Sequence, residues 1–238
     1  MGRRHVAATA AAVAAYAWLQ WLGRTAGATR EERRSRLPGD ELVREPMVVT
    51  THAATIAAPP RHIWPWLVQM GWHRGAFYTA RWVDRLLFPA NWPSAERLLS
   101  EWQGLGVGDT VPDGAPETEC EFVVAELEEN RQLVLHSTRH LPPSWRRDHG
   151  AWIDWSWAFV LRDLGDGRTR FVFRSRLRAG PWWVAAAFWA LIIPADVVMA
   201  RQMLRGVAVR AERTTDADVA AVRSARAVTT PGSPRSSR

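Results

Sequence analysis

Few residues in this 238-residue chain have the type and spacing of a catalytic group. His73, Arg74 and Tyr78 stand within the run WHRGAFY, and His73 or Tyr78 could pass a proton to or from a bound compound. The same side chains could instead cap and support the turn they occupy, which needs no chemistry. His136 and His140 are four residues apart, but Leu141-Pro142-Pro143 denies them the helix that would put that spacing on one face, so they make a poor metal pair. Cys120 is the single cysteine, and Glu119 and Glu121 beside it oppose the thiolate that a nucleophile requires. Walker loop, HExxH, GxSxG and CxxC patterns are missing. GLGVGD at 104–109 has neither GxGxxG spacing nor a following helix, so it reads as a turn into a strand. No metal or cofactor is implied, and no residue is assigned a catalytic role.

The elements that position these residues are read from periodicity. Met47 to Ala57 reads as a strand, stopped by Pro59-Pro60, which also suit the first turn of a helix. In that helix Ile63, Trp66, Leu67 and Met70 form one apolar stripe, and Gly71 stands where a C-cap glycine would. A second helix carries Trp82, Val83, Leu86 and Leu87. Glu121 to Leu127 and Gln132 to Ser137 form a hairpin; Trp152 to Leu161 and Thr169 to Arg178 form a longer one across Gly165-Asp166-Gly167. Alternation puts Phe171, Phe173, Ser175 and Leu177 on one face of the last strand and Arg170, Arg174, Arg176 and Arg178 on the other, which predicts a dry and a wet side. In its partner Ile153, Trp155, Trp157, Phe159 and Leu161 share the apolar face. Pro181 to Ala200 is a long apolar run, and Pro194 and Asp196 divide it into an apolar segment and a helix bearing Val197, Ala200, Met203, Leu204, Val207 and Ala211.

The run APPRHIWPWLVQMGWHRGAFYT resembles the pattern APxxVWxWLxQMGxxRGGxY of the bacterial polyketide cyclase-like branch of the START, or SRPBCC, superfamily. LPGDELV at 37–43, PSAERLL at 93–99, VGDTVP at 107–112, WSWAFVL at 155–161, GDGRTR at 165–170 and a terminal helix rich in Met and Arg agree in order. The resemblance covers roughly Leu37 to Arg213. It implies an α+β helix-grip fold, a curved antiparallel sheet wrapped around a long C-terminal helix, with an apolar cavity between them. On that basis Trp66, Met70, Tyr78, Trp82, Trp155, Trp157, Phe171, Phe173, Ser175, Met199 and Met203 are the expected ligand-binding residues. A row of aromatic side chains with one hydroxyl suits a hydrophobic small molecule or lipid. A cofactor-independent polyketide cyclase/dehydrase-type enzyme, which positions its substrate and moves protons, is the alternative that the resemblance implies.

The net charge of +7 invites a nucleic-acid reading, but it resides in the ends. Residues 37–200 hold sixteen arginines and nineteen acids, so the body is acidic and no nucleic-acid partner is expected. Val6 to Leu22 carries no formal charge and fits three roles: a membrane anchor, a cleaved signal peptide ending at Ala26-Gly27-Ala28, or a docked helix. Tyr16, Trp18 and Trp21 resemble an interfacial belt, and the arginines from Arg24 to Arg36 place the domain beyond them on the cytoplasmic side. The expected organisation is an apolar helix over 1–23, a linker over 24–46 with a short helix at Arg30 to Arg36, the ligand-binding domain over 47–213 and a disordered tail over 214–238. Membrane association is the leading localisation, with a soluble cytoplasmic protein as the alternative; the oligomeric state is not legible.

Overall fold

The computed structural model describes residues 2–87 and 89–229. Six strands, β1 (Val48–Ile56), β2 (Thr110–Pro112), β3 (Glu121–Glu128), β4 (Gln132–Ser137), β5 (Trp152–Asp163) and β6 (Thr169–Gly180), form one antiparallel sheet. Their order is β1-β6-β5-β4-β3-β2, so the first strand closes against the last and every other neighbour is a hairpin or meander partner. The helices are α1 (Gly2–Thr25), α2 (Arg30–Arg34), α3 (Pro60–Val68), α4 (Arg81–Leu87), α5 (Pro143–His149), α6 (Trp182–Ala187), α7 (Ile193–Ala211) and α8 (Asp216–Thr229), with a π-helical turn, Phe188–Ile192, joining α6 to α7. The curved sheet takes α7 on its inner face, the α+β helix-grip that the resemblance implies.

The core sits between them. Trp157, Phe159, Phe171 and Phe173 from β5 and β6 meet Ala200, Met203 and Val207 from α7 and Trp66, Leu67 and Met70 from the α3 region. Ring centroids 5.1 to 6.2 Å apart link Trp157, Phe159, Phe171 and Phe173 into one packed block. The inward row is therefore solid where an open cavity was expected. Helix α7 crosses the aromatic turn at Gly206, where a Cβ would lie 1.8 Å from the Tyr78 carbonyl oxygen, so only glycine permits the approach.

Three expectations are corrected here. Gly71 is not the cap of α3: the helix ends at Val68, and Gly71, with φ of 129°, bridges to Ala76 in a tight turn. The outer arginine row is exposed only at Arg178; the segment expected to be a linker covers Arg170, Arg174 and Arg176. Thr29 and Glu32 form a capping box that starts α2, and the Glu32 carboxylate takes the Arg170 guanidinium at 2.7 and 2.8 Å. Arg174, 3% exposed, donates to the Asp40 carboxylate and to the Ser35 and Glu32 carbonyls, and Arg176 donates to the Val43 carbonyl. The planar guanidinium forks thus satisfy backbone that would otherwise be stranded against the sheet, while Leu37 and Val43 bury their side chains. Finally, residues 216–229 form α8 where a disordered tail was expected, and residues 230–238 lie outside the described residues. Thr215 and Asp218 make a capping box, Asp216 pairs with Arg61 and His62, and Val219 and Val222 are buried. That helix explains why α3 buries Trp64 and Val68 as well as its predicted stripe.

Candidate functional site

The alternation of β1 points Val48, Thr50 and His52 inward, and the β1–β6 register sets Thr50 opposite Ser175 and His52 opposite Phe173. The β5–β6 register continues the row with Trp157 opposite Ser175. Thr50, Ser175 and Trp157 therefore lie side by side on the concave face near the start of α7. Asp196, in the first turn of α7, accepts from His52 Nε2 at 3.0 Å. The His52 ring is fully buried and stacks on Phe173 with centroids 4.9 Å apart. Trp155 Nε1 donates to Ser175 Oγ at 2.6 Å, which leaves the serine hydroxyl hydrogen free to donate elsewhere.

Three buried polar atoms around Ser175 have no protein partner: Thr50 Oγ1, His52 Nδ1 and Trp157 Nε1. Buried polar groups are almost always paired, because desolvating one without a bond costs about 1–3 kcal/mol. Of the three, Thr50 borders a space beside Ser175 and Asp196, while His52 and Trp157 are not among the residues that line it. A cavity of about 30 Å³ lies there, lined by Val48, Thr50, Trp155, Ser175, Leu177, Phe188, Ile192, Ile193 and Asp196. Thr50, Ser175 and Asp196 give it polar groups, and the remaining lining is largely apolar. That volume admits a hydroxyl-sized group, while anything longer must leave past Phe188 and Ile192.

Of the residues expected to bind a ligand, Trp155 and Ser175 line this cavity, and Trp157 and Phe173 stand in its immediate surroundings. Phe171, Met203, Trp66, Met70 and Tyr78 are buried in the main core away from it, and Met199 is partly buried against that core. Trp82 is 56% exposed on α4, so the structure does not bring it to the site. Sequence reading missed Thr50, His52 and Asp196. The alternation of β1 could have put Thr50 and His52 on one face, and Asp196 was visible as a charge interrupting an apolar run.

The WHRGAFY group serves the turn. Arg74 Nη2 caps α3 through the Val68 carbonyl at 2.7 Å and lies 4.5 Å over the Trp102 ring. Tyr78 Oη donates to the Trp66 carbonyl at 2.7 Å, and burial pushes its pKa well above the ordinary phenol value, which removes it as a base. His73 is exposed and stacks on Trp92, centroids 4.7 Å apart. A second grouping has the outline of a relay: His140 Nδ1 is 2.8 Å from Ser137 Oγ and its Nε2 is 2.9 Å from Asp113 Oδ2. Ser137 is 4% exposed and already accepts the Arg139 N–H, so the grouping fastens a turn to the end of the sheet. Burial raises the Cys120 pKa, with Asp113 and Glu119 adding to it.

The chain matches no family model and no curated protein. Among solved structures it is similar to a hypothetical protein from Helicobacter pylori, at 12% identity over 74% of this chain and 95% of that one, with a TM-score of 0.45. It is also similar to a protein from Mesorhizobium loti, at 14% identity over 71% and 99% with a TM-score of 0.40. The di-domain ARO/CYC BexL is similar at 14% identity over 71% of this chain and 48% of that one, with a TM-score of 0.36. The site therefore has to be read from its own chemistry. Ser175 and Thr50 can donate, and Thr50 and the Asp196 carboxylate can accept, a set that complements a head group able to do both. A hydroxyl meets that description.

Proposed function

We propose that this protein binds a hydrophobic small molecule or lipid by a hydroxyl-type head group seated between Thr50, Ser175 and Asp196, at a membrane to which α1 attaches it. The observation that carries this reading is the small cavity in which the unpartnered Thr50 hydroxyl, Ser175 and Asp196 meet apolar side chains that include Phe188 and Ile192. The head would bond to Ser175, Thr50 and Asp196, and the tail would run out past Phe188 and Ile192. Helix α1 supports the membrane part: it is the one described helix long and apolar enough by itself to cross a bilayer, and little of it is buried. The arginines after it favour a cytoplasmic domain.

A second reading rests on the same cavity. Asp196 lines the cavity and holds His52 Nε2 behind it, so a proton could pass between a bound carbonyl compound and this carboxylate–imidazole pair, the cofactor-independent chemistry of a polyketide cyclase-type enzyme. The test is to identify by mass spectrometry whatever co-purifies with the full chain, then to titrate that compound into Ser175→Ala and Thr50→Val while monitoring tryptophan fluorescence. Each substitution should weaken binding about 5- to 20-fold, the usual worth of one hydrogen bond to a seated polar group. A compound released unchanged supports binding; one released altered, with loss of conversion in His52→Gln, supports the enzyme. Unchanged affinity in both variants would overturn the site.

A further inference from the structure

The π-helical turn Phe188–Ile192 is an exposed apolar element with Trp189, Leu191 and Ile192 at 45%, 68% and 46% exposure, and Trp182 just before it is 80% exposed. Its backbone is not left open. Tyr16 Oη donates to the Ala190 carbonyl at 3.0 Å, and Gln20 Nε2 donates to the Trp189 carbonyl at 2.7 Å and to Tyr16 Oη at 2.9 Å. Gln20 is itself only 7% exposed. At Gly23 an added Cβ would lie 2.2 Å from the Ile193 carbonyl oxygen, so α1 and the turn are in backbone contact there. Side chains at 16 and 20 thus satisfy carbonyls that a π-turn presents outward, which is what irregular backbone requires where water cannot reach it.

The length of α1 then fixes a depth. Between Arg4 and Arg24 the sequence holds no formally charged residue. Twenty residues of helix rise about 30 Å, the thickness of a bilayer's hydrocarbon core. If those arginines mark the two boundaries, Gln20 lies about 6 Å and Tyr16 about 12 Å inside the near one, at 1.5 Å per residue. The partners of Gln20 and Tyr16, Trp189 and Ala190, must lie at the same depths. A spanning α1 cannot leave this turn in water.

We infer that residues 182–193 are a re-entrant element submerged in the bilayer against α1, and that the Thr50–Ser175–Asp196 cavity opens into hydrocarbon through Phe188 and Ile192. The ligand class is therefore a membrane-dissolved amphiphilic alcohol that enters sideways from the lipid. This inference rests on the membrane attachment of α1 proposed above. The apolar exposure, the internally satisfied carbonyls and the match of α1 to bilayer thickness all converge on lipid as what covers this surface.

The full chain carrying Cys120→Ser should be reconstituted into phosphatidylcholine–phosphatidylglycerol vesicles with one new cysteine at a time, Val13→Cys, Leu191→Cys or Val107→Cys, each labelled with an environment-sensitive fluorophore. Val107 is 66% exposed on a loop of the domain and serves as the aqueous reference. The labels at 13 and 191 should both be several-fold less quenched by iodide than the label at 107 and should be quenched by nitroxide lipids. A shielded 13 with a 191 as open to iodide as 107 would overturn the re-entrant element and leave α1 as a span. Labels at 13 and 191 that both behave like 107 would overturn the membrane attachment and this inference with it.

Discussion

At the scale of single residues, the concave face separates side chains that fill from side chains that wait. Trp157 is 4% exposed and wedged among Phe122, Phe159 and Phe173, so Trp157→Ala should cost about 3–5 kcal/mol in urea denaturation, the usual loss for a truncated buried aromatic. Thr50 is equally buried, yet its hydroxyl has no partner in the chain. Thr50→Val keeps the shape and removes the unpaired oxygen, so ligand-free protein should be unchanged or stabilised by up to about 1 kcal/mol. A loss above that size would mean that Thr50 makes a structural bond, and its place in the binding site would fall. The two residues flank Ser175 on neighbouring strands and should respond with opposite sign.

Among elements, the N-terminal segment is held to the outer face of β6 by charge. The Glu32 carboxyl is lowered from 4.5 to about 2, first by its hydrogen bond with Arg170 and, against the opposing effect of burial, by the backbone of Thr29. Because the folded pKa lies below the unfolded one, this contribution is complete above about pH 4.5 and disappears as pH falls toward 2. A shift of this size corresponds to roughly 3 kcal/mol at most. Glu32→Gln should therefore be less stable than wild type at neutral pH, and the two denaturation midpoints should converge as pH falls through that window. A gap that persists unchanged at pH 2 would show that packing, and not ionisation, holds the segment. At the other end, α8 is fastened through Trp66 Nε1 to Thr214 Oγ1 at 2.9 Å and through Asp216 to Arg61. Its loss would uncover Trp64 and Val68.

For the whole molecule the question is what holds α1. Its last third is docked, with Gln20 and Gly23 buried and the carbonyl of Ala26, just past its end, accepting from Ala53 N–H, while Val6 and Val13 stand 71% and 63% exposed. The structure thus docks the end of α1 and leaves its earlier turns exposed, the part that the proposed attachment would place in lipid. Full-length protein should sediment with membranes and require detergent, and a chain starting at Arg30 should be released. If both stay in the supernatant, α1 is a surface helix only; if both sediment, residues 182–193 suffice for attachment. A reporter fused at the C-terminus should be active in the cytoplasmic form and silent in the extracytoplasmic one.

Periodicity alone was enough for the two long hairpins, the facing of Trp157, Phe171 and Phe173, the stripe on α3 and the start of α7, because strands of period two and helices of period 3.6 declare their faces wherever one side is apolar. The short helix at Arg30 to Arg36 was legible and is found as α2, but composition misled for the packing of 24–46 and for 214–229, which are polar yet ordered. Their capping boxes, Thr29 with Glu32 and Thr215 with Asp218, are local signals that could be read from sequence, whereas the surfaces that receive them are not. Only the tertiary structure decided that Arg170, Arg174 and Arg176 bind carboxylates and carbonyls instead of water, that the aromatic row packs solid, and that Thr50, Ser175 and Asp196 meet at one cavity with His52 held by Asp196. Those four residues come from β1, β6 and α7, up to 146 positions apart in the chain. No local pattern couples them; strand register and the seat of α7 on the sheet do.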